Sequence, residues 1–88
     1  MNHDTFWKPR ISLGHRLQWE EAQNAWVLLY PEGMVRLNQS AGEILRRCDG
    51  EKDVGLIIRE LEEAFEVNGI AEQVHSMLTE GARRGWVH

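Results

Sequence analysis

Apolar and polar residues alternate over residues 16–20, where Leu17 and Trp19 fall between Arg16, Gln18 and Glu20. A period of two predicts a strand with one wet face. The polar stretch 21–24 turns the chain back, and residues 26–30 (WVLLY) are then apolar at every position. Neither face of that second strand can sit in water without a hydrophobic cost, so it reads as a central strand, covered on one side by helices and on the other by the N-terminal arm. Pro31 fixes its own φ and Gly33 permits positive φ, which makes Pro31-Glu32-Gly33 a tight reversal into a third strand. There Val35 and Leu37 share one face, and Met34, Arg36 and Asn38 the other. The result is a three-stranded meander with an edge left open.

Beyond this point the spacing becomes helical. Ser40 followed by Glu43 matches a capping box, and Ala41, Ile44, Leu45 and Cys48 form the inward face of a short helix that Asp49-Gly50 ends. A second helix is predicted over residues 53–65, with Val54, Ile57, Ile58, Leu61 and Phe65 at helical intervals and Glu60, Glu62 and Glu63 facing water. Asn68-Gly69 breaks it. A third, over residues 71–84, places Val74, Met77, Leu78 and Ala82 along a packing side despite the cost of Gly81, and Gly85 lets Trp86 and Val87 return to the core. Residues 1–15 lack sustained periodicity and contain Pro9. They read as a partly flexible N-terminal arm, anchored through Phe6, Trp7 or Ile11, ahead of a single domain over residues 16–88. The fold class is α+β, a three-stranded antiparallel sheet followed by three helices in the manner of a winged helix-turn-helix.

With 88 residues the chain has room for one small core. Its 10 Lys plus Arg against 14 Asp plus Glu give a net charge of −4, which opposes nonspecific binding to nucleic acid. The single cysteine, Cys48, excludes an intrachain disulfide framework and a multi-cysteine zinc site. It sits on an apolar helix face, where a free thiol packs as a small hydrophobe. His3, His15, His75 and His88 are scattered, and no acid, base and nucleophile are linked by spacing, so neither a catalytic residue nor a metal site or cofactor is expected. Arg46, Arg47, Arg83 and Arg84 lie near helix C-termini, where positive charge complements the backbone field more readily than it builds an anion site. No segment resembles a signal peptide or a membrane span, which places the chain in the cytoplasm.

Particular runs of residues carry a family resemblance: Pro9-Arg10, GHRLQWE from Gly14, Gln23, WVLLYPEGMVRLN from Trp26, SAGEILRRCDG from Ser40 and GWV from Gly85. Together they resemble the PqqD family of pyrroloquinoline quinone (PQQ) biosynthesis, from the arm to the final residues. The resemblance implies a noncatalytic peptide chaperone, a recognition element of the ribosomally made peptide pathways (RiPP), that binds the precursor peptide PqqA and presents it to the radical SAM enzyme PqqE. It also implies that the peptide adds a strand beside the third strand and packs against the third helix. Carried onto this chain, the peptide-binding residues are Met34, Val35, Arg36, Leu37 and Asn38 on the edge, with Val74, Met77, Leu78 and Gly81 supporting them. A homodimer through the same strand edge, or by strand exchange, is a further expectation. The competing readings are a winged-helix DNA-binding module, which the acidic charge opposes, and a quinone-binding protein, for which no cofactor motif is present.

Overall fold

The computed structural model describes residues 5–88; His3 and the rest of residues 1–4 of the arm lie outside the described residues. Strands β1 (Arg16–Glu20), β2 (Ala25–Tyr30) and β3 (Gly33–Arg36) form an antiparallel sheet in the order β1-β2-β3. Helices α1 (Gln39–Leu45), α2 (Val54–Phe65) and α3 (Ala71–Arg83) follow. The periods of two and then 3.6 thus divide the chain where the sequence places the division. At the first turn Asn24 takes positive φ (53°), a conformation that a short polar side chain tolerates. At the second, Gly33 (φ 154°) makes the reversal.

β2 is the central strand, and Val27 and Leu28 on its opposite faces are both fully buried. Leu28 joins the main core with Leu37, Ile44, Leu45, Cys48, Val54, Ile57, Ile58, Leu61, Val74, Leu78 and Val87. Trp26, on the same face as Leu28, stacks edge-on against Trp19 at 5.4 Å and lies under Gly42 of α1. On the opposite face, the register sets Val27 between Gln18 and Arg36. The described part of the arm, residues 5–15, does not pair over that face. Its backbone runs beside the helices: the amides of Val54 and Gly55 donate to the carbonyls of Trp7 and Thr5, and Arg10 and His88 exchange hydrogen bonds at 2.9 and 3.0 Å. Trp7 and Ile11 pack on the core, whereas Phe6 points into solvent. These contacts join residues far apart in sequence, so local pattern carries no signal of them.

The start of α1 differs from the capping box. Asn38 is the N-cap, and its side-chain Oδ1 accepts from the Ala41 amide at 2.8 Å. Ser40 lies inside the helix and is exposed. Starting at Asn38 adds hydrogen-bonded residues to a very short helix, and Glu43 is drawn instead to Arg46 and Arg47. α2 starts as expected, with Asp53 capping the Leu56 amide at 2.8 Å. Phe65, expected on its inward face, is 44% exposed because the helix ends at Glu66 in a left-handed conformation before that turn reaches the core. In α3 the buried positions are Val74, His75, Leu78 and Gly81, while Ala82 is exposed. The packing side is rotated because Trp86 and Val87 fold back onto Gly81.

Candidate peptide-binding edge and groove

β3 pairs only with β2, so its other side is an open edge among the described residues. Which of its backbone groups face outward follows from one hydrogen bond. The Leu37 amide donates to the Trp26 carbonyl at 2.9 Å, which makes Leu37 and Trp26 a hydrogen-bonded pair of the antiparallel ladder. Such pairs alternate with pairs whose N–H and C=O groups point away from the partner strand. Val35 opposite Leu28 is therefore tied to β2, whereas Met34 and Arg36 direct their amides and carbonyls to the open side. Both side chains lie on the sheet face away from the helices and are exposed, Met34 by 51%. Of residues 34–38, expected from the family resemblance to form one peptide-binding edge, the ladder ties Val35 and Leu37 to β2 and leaves Met34 and Arg36 open.

Beside the end of this edge lies a groove of about 800 Å³. Asn38, Ala41 and Ile44 form one wall, Leu61, Phe65 and Val67 the second, and Ile70, Val74 and Met77 the third. Phe65 and Val67, which sequence reasoning left out of the site, are the most exposed apolar groups of this lining. Their signal was an amphipathic helix running on to a bulky aromatic one turn past Leu61, followed by a valine in the loop. Glu62 holds that loop in place: its carboxylate accepts from the amides of Gly69 and Ile70 at 3.0 and 3.4 Å. This substitutes for the side-chain cap that α3 lacks. Glu62, expected to be solvated, is thus a structural group that fixes the loop between α2 and α3.

The sequence-predicted site residues separate into three groups. Asn38, Val74 and Met77 line the groove. Met34, Val35 and Arg36 form the edge strand outside it. Leu37 and Leu78 belong to the core, and Gly81 is buried under Trp86 and Val87, so these three support the surface from behind.

Charges around the groove are mostly paired. Arg47 bonds Glu43 at 2.9 Å and Glu60 at 3.4 Å, and Lys52 reaches Glu60 at 3.0 Å, joining α1 to α2. Burial pushes the Glu43 carboxyl up, but hydrogen bonds and charge from Arg47 and Arg46 outweigh it and hold the group below the ordinary range. Glu80 is held at about 2 by hydrogen bonds from Arg83 and Arg84, so those arginines are partnered on their own helix. Burial, with a smaller contribution from Asp49, pushes the Cys48 thiol up to about 12, and its Sγ donates to the Ile44 carbonyl. A thiol so protonated is a poor nucleophile. Among the described residues, no group of three or more His, Cys, Asp and Glu is placed to hold a metal, and no helix is long and apolar enough to cross a membrane.

Residues 25–87, spanning β2, β3 and all three helices, match the family described as Coenzyme PQQ synthesis protein D. The chain belongs to the PqqD family. The PqqA binding protein of Azotobacter vinelandii is 48% identical over 80 residues, which cover 90% of this chain and 87% of that protein. That of Methylococcus capsulatus is 44% identical over 72 residues, covering 82% and 77%. Among solved structures, the PqqD truncation of Methylobacterium extorquens PqqCD, a stand-alone RiPP recognition element studied by solution NMR, superposes with a TM-score of 0.77 at 29% identity. It covers 91% of this chain and 87% of its own. The meander and the three helices are therefore the PqqD recognition-element fold, and this PqqD chain is a noncatalytic module of PQQ biosynthesis.

Proposed function

We propose that this PqqD binds a PqqA precursor peptide as an added strand on β3 and presents it, in the cytoplasm, to the radical SAM enzyme PqqE. The observation that carries the reading is the open edge at Met34 and Arg36, running into an apolar groove walled by α1, α2 and α3. Edge pairing supplies backbone hydrogen bonds to any sequence, and side-chain pockets beside it supply selectivity. Relatives sharing nearly half of their residues with this chain are PqqA binding proteins. The module contributes by raising the frequency of productive encounters between peptide and enzyme, not by bond chemistry. Residues 1–15 serve as the arm of a recognition domain over residues 16–88, and a homodimer built on the β3 edge would compete with the peptide.

Amide shift mapping with PqqA tests the surface: Met34, Arg36, Asn38, Phe65, Val67, Val74 and Met77 are expected to move together. Tight binding that leaves the β3 amides unmoved overturns the reading. Met34→Pro gives an independent arm, because it removes one outward N–H from an edge strand, where proline is tolerated, and Gly33 before it is the residue least restricted by a following proline. One lost hydrogen bond is expected to weaken PqqA by about 3- to 10-fold. Val35→Pro would instead break the ladder to β2. PqqA modified by PqqE no faster with this protein than without it would remove the presenting role.

A further inference from the structure

Arg36, on the open edge, carries a charge that no described residue answers. Its side chain is exposed on the outer face of the open edge, and no carboxylate pairs with it among the described residues. The arginines near the groove are otherwise engaged, Arg46 and Arg47 by Glu43. Across the sheet on the same face, the polar groups of β1 are linked to one another: Arg16 donates to Gln18 at 3.2 Å, and Gln18 to Glu20 at 2.6 Å. The neighbour of Arg36 in the register is Val27, which is apolar and fully buried. Arg36 therefore stands over apolar surface, beside backbone groups that point outward.

We propose that Arg36 selects an acidic side chain in the peptide strand that pairs on β3, and that the residues flanking this acid are apolar. The inference rests on the strand-addition reading above. An added strand of either direction alternates its side chains between the two faces of the sheet. The peptide residue beside Arg36 lies on the outer face, where a carboxylate meets the guanidinium and its directed donors. The next residues point to the helical side, toward Val35 and the groove, which is lined by Phe65, Val67, Ile70 and Met77. An acid at those positions would instead approach a lining that includes Glu43 and Glu72. The ligand chemistry is an apolar–acidic–apolar segment in extended conformation. Because the whole chain carries a net charge of −4, it repels an acidic segment at long range, so this selection operates only at contact.

A bland role exists for the same side chain, since charged residues on edge strands prevent pairing between copies of a protein. Arg36→Glu separates the roles, because it keeps a charge on the edge and reverses its sign. PqqA peptides in which each Asp or Glu is changed singly to Lys are titrated against the wild-type protein and Arg36→Glu, with circular dichroism confirming the fold of the variant. Surface cross-strand charge pairs set the scale: Arg36→Glu is expected to weaken unmodified PqqA by about tenfold, and one Lys-bearing peptide to regain most of that loss. Rescue at a single acidic position, with residues on both sides apolar, supports the proposal. Equal binding of PqqA by both proteins overturns it, as does a loss that no Lys-bearing peptide rescues. In either case, continued movement of the Met34 and Arg36 amides leaves strand addition standing. Absence of that movement removes strand addition itself.

Discussion

Gly42 is where the sheet and α1 meet most closely, and replacing it with alanine tests the packing directly. A Cβ at this position would lie 2.7 Å from Trp26 Cγ, 2.8 Å from Trp26 Cβ and closer still to Cδ1. These are the atoms of the indole nearest the backbone of the central strand, so no side-chain rotation removes the clash. Relief requires α1 to move off β2. Overpacking a core costs about 1 to 3 kcal/mol, and a contact with such rigid atoms belongs at the upper end. Alanine regains about 1 kcal/mol of helix propensity over glycine, leaving a net loss of about 2 kcal/mol, or roughly 30-fold in the folding equilibrium. Urea unfolding followed by far-ultraviolet circular dichroism is the suitable assay, because Trp26 fluorescence would respond to the substitution itself. The midpoint is expected to fall with an unchanged slope. Gly81→Ala is the internal control: its Cβ meets Val87 Cγ2 at 3.5 Å and Trp86 no closer than 3.8 Å, which is ordinary contact. In the interior of α3 the propensity gain of about 1 kcal/mol should then appear as stabilisation. Gly42→Ala as stable as the parent protein would refute the close approach of α1 to Trp26, and with it the position of the groove wall formed by Ala41 and Ile44.

Asn38→Ala removes the α1 cap and is expected to cost about 1 kcal/mol by urea unfolding, with Asn38→Asp retaining most of the stability; a cost from Ser40→Ala instead would restore the capping box. Cys48 provides a pH test. Its folded-state pKa lies above the ordinary value, so its contribution to stability is complete below about pH 9 and is lost as pH rises toward about 12. Cys48→Ala should flatten that part of the stability profile, and a folded protein whose thiol reacts with a disulfide reagent as fast as a denatured one would contradict the burial.

The sheet was legible because its information is local. Alternation in β1, the unbroken apolar run of β2 and the Pro31-Glu32-Gly33 reversal each constrain a few consecutive residues, and the observed strands follow them. α2 was legible for the same reason, with Asp53 and four buried aliphatic positions repeating at helical spacing. The beginning of α1 was ambiguous within the sequence itself. Asn38 and Ser40 are both good caps, and choosing between them requires knowing that Glu43 has Arg46 and Arg47 as partners. Contacts made across the chain had no local signature, as the arm alongside His88 and the return of Trp86 onto Gly81 illustrate.

The candidate site was legible only in its local geometry. A period of two identified residues 34–38 as a strand and left its edge open, but the direction of each backbone group depends on which residue of β2 lies opposite. That register places Val35 in the ladder and frees Met34 and Arg36. The groove is a sharper case. Phe65 reads as core from its spacing, yet a helix contributes to a core only as far as another element covers it. α2 ends at Glu66, and the loop to α3 is held by Glu62, so Phe65 and Val67 remain partly uncovered. The same amphipathic pattern that builds the core thereby overruns it by about one turn, and that overrun supplies the most exposed apolar surface of the groove. Exposing such groups is unfavourable in the free protein, and under the proposed function a peptide that covered them would recover the cost.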